Sequence, residues 1–310
     1  MPKIGELVLL VSPKGKKYLR RVEPGADLHC GDGIVAMQDI IEADFGTIVR
    51  SHSGTPFRIY RPALPDLLRG IRRQTQVIYP KDIGYICMRL GVGPGRKIIE
   101  SGSGSGGLTL AMSFFAGETG EIHTHEAREE FMKLCRKNLD WAGLGKNVTL
   151  YHQDIANGFL TGDADALFLD VRDPWEYLHH IPAAVKSGAM LGFLVPTVDQ
   201  VSKLLYGLEK GPYDEVEVCE ILVRGWKPVP DRLRPMDRMV AHTGFLIFAR
   251  HQEQVDALDA YKYMGTRERK QEAARRERLG LEPLREDVSE VEGGVRGDDC
   301  AEEPDTACEE

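Results

Sequence analysis

The stretch Lys97-Ile98-Ile99-Glu100-Ser101-Gly102-Ser103-Gly104-Ser105-Gly106-Gly107-Leu108-Thr109 decides how this chain is read. A short apolar run, Lys97–Glu100, ends in an acid and dissolves into glycines. The apolar segment Leu108–Phe115 then continues at helical spacing. A strand that turns through glycines directly into a helix is the first unit of an open α/β sheet, whose ligands sit beyond the carboxyl ends of the strands. Glycine serves there because it turns sharply and lets backbone approach a ligand.

Downstream, Glu121–His125 reads as a strand. Ala127–Ala142 reads as an amphipathic helix with Phe131, Leu134, Cys135, Leu139 and Trp141-Ala142 on or beside its buried face. Val148–His152, Ala166–Asp170 and Met190–Val195 are further strands, with helices near Trp175–Val185 and Val198–Lys210. Strands alternating with helices predict a parallel sheet covered on both faces. Two late β segments, Glu215–Val223 and Thr243–Ala249, flank a long loop carrying Trp226, Pro228, Pro230 and Pro235. Upstream, residues 1–64 read as a small β unit. Glu6–Val11 and Tyr18–Val22 are separated by Ser12-Pro13-Lys14-Gly15, and Gly46–Arg50 and Phe57–Tyr60 follow. Pro65–Arg73 reads as a connecting helix. The expected division is thus a β domain at 1–64, a helix and loop at 65–83, the α/β domain at 84–251, a charged helical extension at 252–282 and an acidic, disordered tail at 283–310.

Composition narrows the classes. With 310 residues, 42% hydrophobic and 28% charged, the chain can bury a sizeable core. No apolar run approaches the ~18 residues of a membrane span. Met1-Pro2-Lys3-Ile4 shows no secretory h-region. Six scattered cysteines without a CxxC pair argue against a zinc site or a disulfide framework, and fit a reduced, cytoplasmic protein without metal. The net charge of −8 is concentrated at one end: residues 283–310 carry eleven acids against two arginines. The preceding 282 residues hold 38 basic and 37 acidic side chains, so a nucleic-acid partner is compatible with the charge.

The glycine loop alone admits two ligands. Gly102, Gly104 and Gly107 satisfy the G-x-G-x-x-G dinucleotide fingerprint. Gly102, Gly104 and Gly106 equally satisfy G-x-G-x-G behind an acid, Glu100, which resembles motif I of the S-adenosylmethionine-dependent methyltransferases. A plain tight turn is the structural alternative. Later strand ends discriminate. Glu126 ends the second strand, Asp154 follows the third, and Asp170 ends the fourth. Four carboxylates suit a ligand bearing a sulfonium, an ammonium, a ribose and an adenine amine. They repel a pyrophosphate. Any one of these acids could instead be a helix cap.

Four blocks extend the likeness. They are Thr75-Gln-Val-Ile-Tyr79-Pro80-Lys81-Asp82, the glycine loop through Thr109, Leu169-Asp170-Val171-Arg172-Asp173-Pro174-Trp175, and Gly225-Trp226 through Arg232-Leu233-Arg234-Pro235 to Ala241-His242-Thr243-Gly244-Phe245-Leu246. Together, over residues 5–250, they resemble the TrmI family of tRNA (adenine-N1)-methyltransferases, which modify adenine 58 of the T-loop. The resemblance implies a Rossmann-like, seven-stranded class I methyltransferase sheet with a small N-terminal β domain, assembled as a homotetramer. It implies S-adenosylmethionine as cofactor, held by Glu100, Gly102, Ser103, Gly104, Ser105, Gly106, Gly107, Leu108, Glu126, Phe131, Asp154, Ile155 and Asp170. Asp170 and Tyr79 are the expected catalytic residues. His125 stands where the family commonly has tyrosine, which implies altered packing. Asp173-Pro174-Trp175 is similar only in part to the D-P-P-Y/W motif of amino-methyltransferases, because one proline is missing.

Adenine N1 is a neutral nucleophile with an in-plane lone pair, so no strong base is required. In-line placement and a negative group near the developing charge are. Asp170 is the expected negative group. A T-loop adenine is stacked, and extruding it costs a few kcal/mol, which phosphate contacts must offset. Arg69, Arg72, Arg73, Lys81, Arg232, Arg234 and Arg238 are the candidate tRNA contacts. His242 is a site residue or a satisfied core histidine, with the core reading preferred. A methyltransferase acting on protein or small molecules, and a noncatalytic RNA-binding module, are the rival readings.

Overall fold

Ile98 and Ile99 point to opposite faces of one strand, and that alternation organises the structure. The computed structural model describes residues 1–253 and 266–279. The first unit, Met1–Val255, begins with β1 (Leu7–Val11), β2 (Lys17–Arg21), β3 (Leu28–Cys30), β4 (Gly33–Val35), α1 (Met37–Glu42), β5 (Ile48–Arg50) and β6 (Pro56–Tyr60). Antiparallel pairing gives a sheet in the order β2-β1-β6-β5, and β3 and β4 form a separate hairpin. Val8, Leu10, Met37, Ile40, Phe57 and Ile59 close a core of their own. The sequence reading missed α1 and the β3–β4 hairpin, which are too short to show a period.

α2 (Leu64–Gly70) and α3 (Pro80–Arg89) lead into the main sheet. α3 was read as loop up to residue 83. It starts earlier because Pro80 occupies its first turn, where the fixed φ suits a helix and the lost N–H is not missed. Then follow β7 (Lys97–Ser101), α4 (Gly107–Ala116), β8 (Glu121–Glu126), α5 (Glu129–Ala142), β9 (Val148–His152), a 3-10 turn Ile155–Asn157 and β10 (Ala164–Leu169). A second 3-10 segment, Pro174–His180, runs into α6 (Ile181–Ala184), β11 (Val185–Val195), α7 (Val198–Glu209), β12 (Tyr213–Cys219), the hairpin β13 (Trp226–Lys227) and β14 (Arg234–Pro235), and β15 (Phe245–His251). The expected helix near 175–185 is therefore mostly 3-10, and β11 begins where that helix was expected to end.

The seven strands order as β12-β15-β11-β10-β7-β8-β9. β11, β10, β7, β8 and β9 are parallel, whereas β15 runs antiparallel to β11 and β12. The order reverses between β7 and β10, and that gap is where an open sheet presents its ligand site. Ile98, Phe168 and Phe248 fill one face under α2, α3, α4 and α5, and Ile99, Leu167, Phe193 and Ile247 fill the other under α6 and α7. The expected two-faced covering is observed; the sheet is mixed rather than wholly parallel.

A separate unit contains α8 (Thr266–Leu279), charged throughout and lying inside the expected helical extension. The expected disordered tail at 283–310 lies outside the described residues.

Candidate active site

The glycine loop leaves the end of β7 at the strand-order reversal. Gly102 has φ +91° and donates its N–H to the His125 carbonyl on β8 at 3.0 Å. A Cβ at this position would overlap the Asp170 carbonyl oxygen and lie 2.9 Å from its carbon. Only glycine lets the two strand ends close to this distance. Gly104 (φ +50°) and Gly106 (φ +81°) also adopt left-handed backbone, and a Cβ on them would meet Thr75 Oγ1 at 2.9 Å and Cys135 Sγ at 2.7 Å.

Three of the four expected acids converge here. Glu126 is buried. It accepts from Gly104 N at 2.9 Å and from Arg128 N and Nε at 3.1 and 3.2 Å. Asp170 is half-buried, with its backbone N–H on the Ser101 carbonyl at 2.9 Å. Burial pushes its carboxyl up to about 6, and the charge of Glu126 adds to the shift. Glu100 lies deepest, 1% exposed, and accepts from Thr109 Oγ1 at 2.6 Å. Burial drives it up to about 7, with Asp170 and Glu126 raising it further against the hydrogen bond from Thr109. It thereby pins the start of α4 to the end of β7 and supports the loop from behind. Asp154 stands apart. It is exposed and caps the following 3-10 turn through Ala156 N at 2.9 Å, the helix-cap role weighed above for a single acid.

The serines divide between packing and the loop floor. Ser103 is buried. Ser105 is also buried, and its hydroxyl accepts from Gln74 N and Thr75 N at 3.1 and 3.3 Å and lies 2.9 Å from Thr75 Oγ1. Its side chain is thus spent on holding residues 74–75 against the loop. Gly107 and Leu108 are buried at the start of α4. Phe131 carries the Arg128 guanidinium over its ring at 4.1 Å, which places this cation–π pair beside Glu126. Ile155 belongs to the apolar core on the α7 side.

Tyr79 precedes α3, is 38% exposed and lines a small cleft with Arg73, Thr75 and Pro80. It is therefore not a core aromatic. Lys81 departs from its expected role as a phosphate contact. Its side chain is only 10% exposed, and Nζ donates to both Asp82 oxygens (2.8 and 3.1 Å), the Ile221 carbonyl (2.7 Å) and Thr243 Oγ1 (2.5 Å). Thr243 in turn donates to Asp82 at 2.7 Å. This buried cluster joins the Tyr-Pro-Lys-Asp block to the Ala-His-Thr-Gly block. Arg69 lies 3.8 Å from Asp66, Arg73 donates to the Leu68 carbonyl at 3.2 Å, and Arg72 is exposed. Arg232, Arg234 and Arg238 are all exposed on the loop that carries β13 and β14.

The preferred core reading of His242 fails, because its side chain is 48% exposed. Nδ1 lies 2.6 Å from Glu220 Oε1 and Nε2 lies 3.0 Å from the Pro196 carbonyl. An ionised carboxylate and a carbonyl are both acceptors, so this pairing favours the doubly protonated ring; Glu220, first, and Pro196 raise its pKa. His125 is fully buried, stacks on Tyr151 at 4.7 Å and accepts from Leu160 N at 3.1 Å. Burial depresses it to about 4, so it packs as a neutral ring. Trp175 turns away from the rim and packs on the α7 side, beneath Lys203 Nζ at 5.1 Å.

Three residues escaped the sequence reading. Asn138 accepts from Arg72 N (3.0 Å) and donates to the Arg72 and Ser105 carbonyls (2.9 and 2.8 Å), bracing the glycine loop from α5. A polar residue at a buried helical position was its available signal. Arg128 locks Glu126. Arg172, with a side chain 93% exposed, projects two residues beyond Asp170. Among the described residues no cluster of His, Cys, Asp and Glu could hold a metal ion, and no helix is long and apolar enough to cross a membrane.

Comparison with known proteins agrees with the fold. A family model described as tRNA methyltransferase complex GCD14 subunit matches residues 64–232. The chain is 33% identical over 272 residues to tRNA (adenine(57)-N(1)/adenine(58)-N(1))-methyltransferase TrmI of Methanocaldococcus jannaschii, covering 78% of this chain and 94% of that one. Its structure is similar to a SAM-dependent O-methyltransferase from Thermotoga maritima (TM-score 0.78, 40% identity, 82% of this chain and 96% of that one). It is also similar to tRNA (m1A58) methyltransferase TrmI from Aquifex aeolicus (TM-score 0.72, 38% identity, 82% and 99%). With a class I methyltransferase strand order, a glycine loop backed by buried carboxylates and this extent of shared sequence, the chain belongs to the GCD14 family of tRNA methyltransferases, with the TrmI enzymes among its relatives.

Proposed function

We propose that this chain methylates N1 of adenine 58 in the tRNA T-loop, using S-adenosylmethionine. The observation that carries the reading is the convergence of Glu126 and Asp170 on a loop whose left-handed glycines let it close against Asp170, Thr75 and Cys135 at the strand-order reversal. The cradle fits such a cofactor. Gly102, Gly104 and Gly106 let the loop pack closely on the strand ends and α5, Glu126 offers a carboxylate to ribose hydroxyls, and Asp154 retains a carboxylate for the adenine amine. When bound, the cofactor supplies a methyl group already activated on a sulfonium.

The chain's own work is placement and charge. Adenine N1 carries no proton to remove, so no residue has to act as a strong base. Asp170 stands at the strand-order reversal with a carboxyl near 6, mostly ionised at neutral pH. An anion there accepts from the adenine N6 amine and offsets the positive charge left on the methylated ring. Tyr79, exposed at the head of α3, covers the extruded base. Arg73, Arg232, Arg234 and Arg238 are left for phosphates, together with Arg69 and Arg72.

We further propose that copies of the chain assemble, as a homotetramer, through the segment between β12 and β15. Leu222, Val223, Trp226, Val229, Leu233 and Met236 are all exposed along it, more apolar surface than a lone chain commonly leaves open. A cytoplasmic location goes with a tRNA substrate.

The likeness to an O-methyltransferase favours one rival, a different acceptor on the same cofactor half. One assay separates the two: labelled methyl transfer to an unmodified tRNA transcript and to a transcript with guanine at position 58. Label in the first only is expected. Equal labelling of both rejects the site, and no label in either favours the rival.

A further inference from the structure

Two clefts lie side by side away from the glycine loop, on the surface shared by β2, α2 and α5. One, of about 350 Å³, is lined by Lys17, Arg20, Arg69 and Trp141, with Asp66 among them. The other, of about 390 Å³, is lined by Arg72, Lys137 and Trp141 over Asn138. Gly70 and Trp141 belong to both, so the two form one groove with the indole as a common wall. A side chain at Gly70 would collide with that indole, so glycine keeps the wall in place.

The charge of the groove is one-sided. Five cations line it against one carboxylate, and Asp66 is already engaged by Lys17 Nζ at 2.7 Å and by Ala63 N at 3.2 Å. Arg20, Arg72 and Lys137 are exposed. The groove is also tied to the active site by hydrogen bonds. Its floor residue Asn138 holds both Arg72 and the Ser105 carbonyl of the glycine loop. The chain then runs from Arg72 through Arg73 to the cleft lined by Thr75 and Tyr79.

Cations along a groove with an aromatic wall are what a nucleic-acid strand requires: phosphates take the guanidinium and ammonium groups, and a base or ribose takes the indole. We propose that this groove is a docking track for tRNA outside the target-base pocket, with Arg20, Arg72 and Lys137 on phosphates and Trp141 against a base or ribose. The proposal rests on tRNA being the substrate. It assigns a function to the N-terminal sheet, which supplies Lys17 and Arg20. Binding along the track offsets the cost of extruding a stacked adenine some distance away.

The test is equilibrium binding of unmodified tRNA to the full-length chain over a range of salt concentrations. Arg20→Gln, Arg72→Gln and Lys137→Gln are compared singly and combined. Each lost phosphate contact should lower the slope of log affinity against log salt by roughly 0.7–0.9, so the triple variant should lose about 2–3. Its Kd for tRNA should rise at least tenfold, while its Kd for S-adenosylmethionine stays at the wild-type value. Lys133→Gln removes the same charge from an exposed position on α5 that is paired with Glu129 and lies outside the groove, and should change neither quantity. A triple variant with the wild-type salt slope overturns the track, while wild-type methylation of tRNA in the same preparation leaves the proposed activity standing. A wild-type chain that neither binds nor methylates tRNA overturns that activity instead.

Discussion

Replacing Gly102 with alanine puts one methyl group into the narrowest point of the site. The added Cβ would overlap the Asp170 carbonyl oxygen, and the atoms in its way are backbone, which cannot rotate aside. The ends of β7 and β10 would have to part by about 1 Å to restore ordinary contact. The backbone at +91° adds its own penalty, on the order of 1–2 kcal/mol for a residue with a side chain. Overpacking adds about 1–3 kcal/mol. A total of about 2–5 kcal/mol should lower Tm by roughly 4–20 °C. The functional loss should be larger, because a displacement near 1 Å at Asp170 misplaces the group that faces the base, and such a shift costs about 100-fold in rate. Methyl transfer to tRNA is measured below the new Tm, with Gly104→Ala as comparison. That substitution meets the Thr75 hydroxyl at 2.9 Å, a side-chain atom, and should cost less. A Gly102→Ala enzyme with wild-type turnover and Tm would refute the reasoning, as would the reverse ranking of the two variants.

Other expectations follow from the same geometry. Glu100 (about 7) and Asp170 (about 6) lie above their unfolded values, so the native chain holds protons that the unfolded chain has released, and their share of stability falls as pH rises toward 7. A cationic donor favours the ionised forms; its affinity by calorimetry should therefore climb between about pH 5.5 and 8 with release of protons, and a flat profile would contradict the charge argument. Asp170→Ala should lose most turnover while Kd for tRNA stays near wild type; a loss confined to binding would assign Asp170 a structural role. Lys81→Met strips Asp82 of its cation, a change worth about 3–5 kcal/mol at a buried pair, and should lower Tm by roughly 6–20 °C in a thermal melt. Removal of residues 283–310 should leave methyl transfer intact, and a severe defect in that assay would show the acidic segment to be required.

The sheet was readable because its strands are apolar runs separated by glycine and helical periods, and β9 falls on the residues expected of it. The unanticipated elements are short: α1 with six residues, and β13 and β14 with two each, leave no period to detect. Glu126, Asp170 and the glycines were legible because a strand end fixes where its last side chains point. Lys81 was not. Its fate depends on Thr243, 162 residues away, and a lysine beside a basic cluster looks like a phosphate contact until that partner is in place. The contact of the Ser105 hydroxyl with Thr75, 30 residues earlier in the chain, was out of reach of the sequence for a similar reason. His242 shows the limit from the other side: its exposed pairing with Glu220 and the Pro196 carbonyl, 22 and 46 residues away, left no mark in the local sequence.

Direct titration of the chain with S-adenosylmethionine and, separately, with NAD bears hardest on the central claim, that carboxylates at the rim hold a cationic methyl donor rather than a dinucleotide. Saturable binding of the first ligand, weakened at least tenfold by Glu126→Ala, with no binding of the second, is the expected result. Tight binding of NAD, or S-adenosylmethionine binding that is indifferent to Glu126, would contradict it.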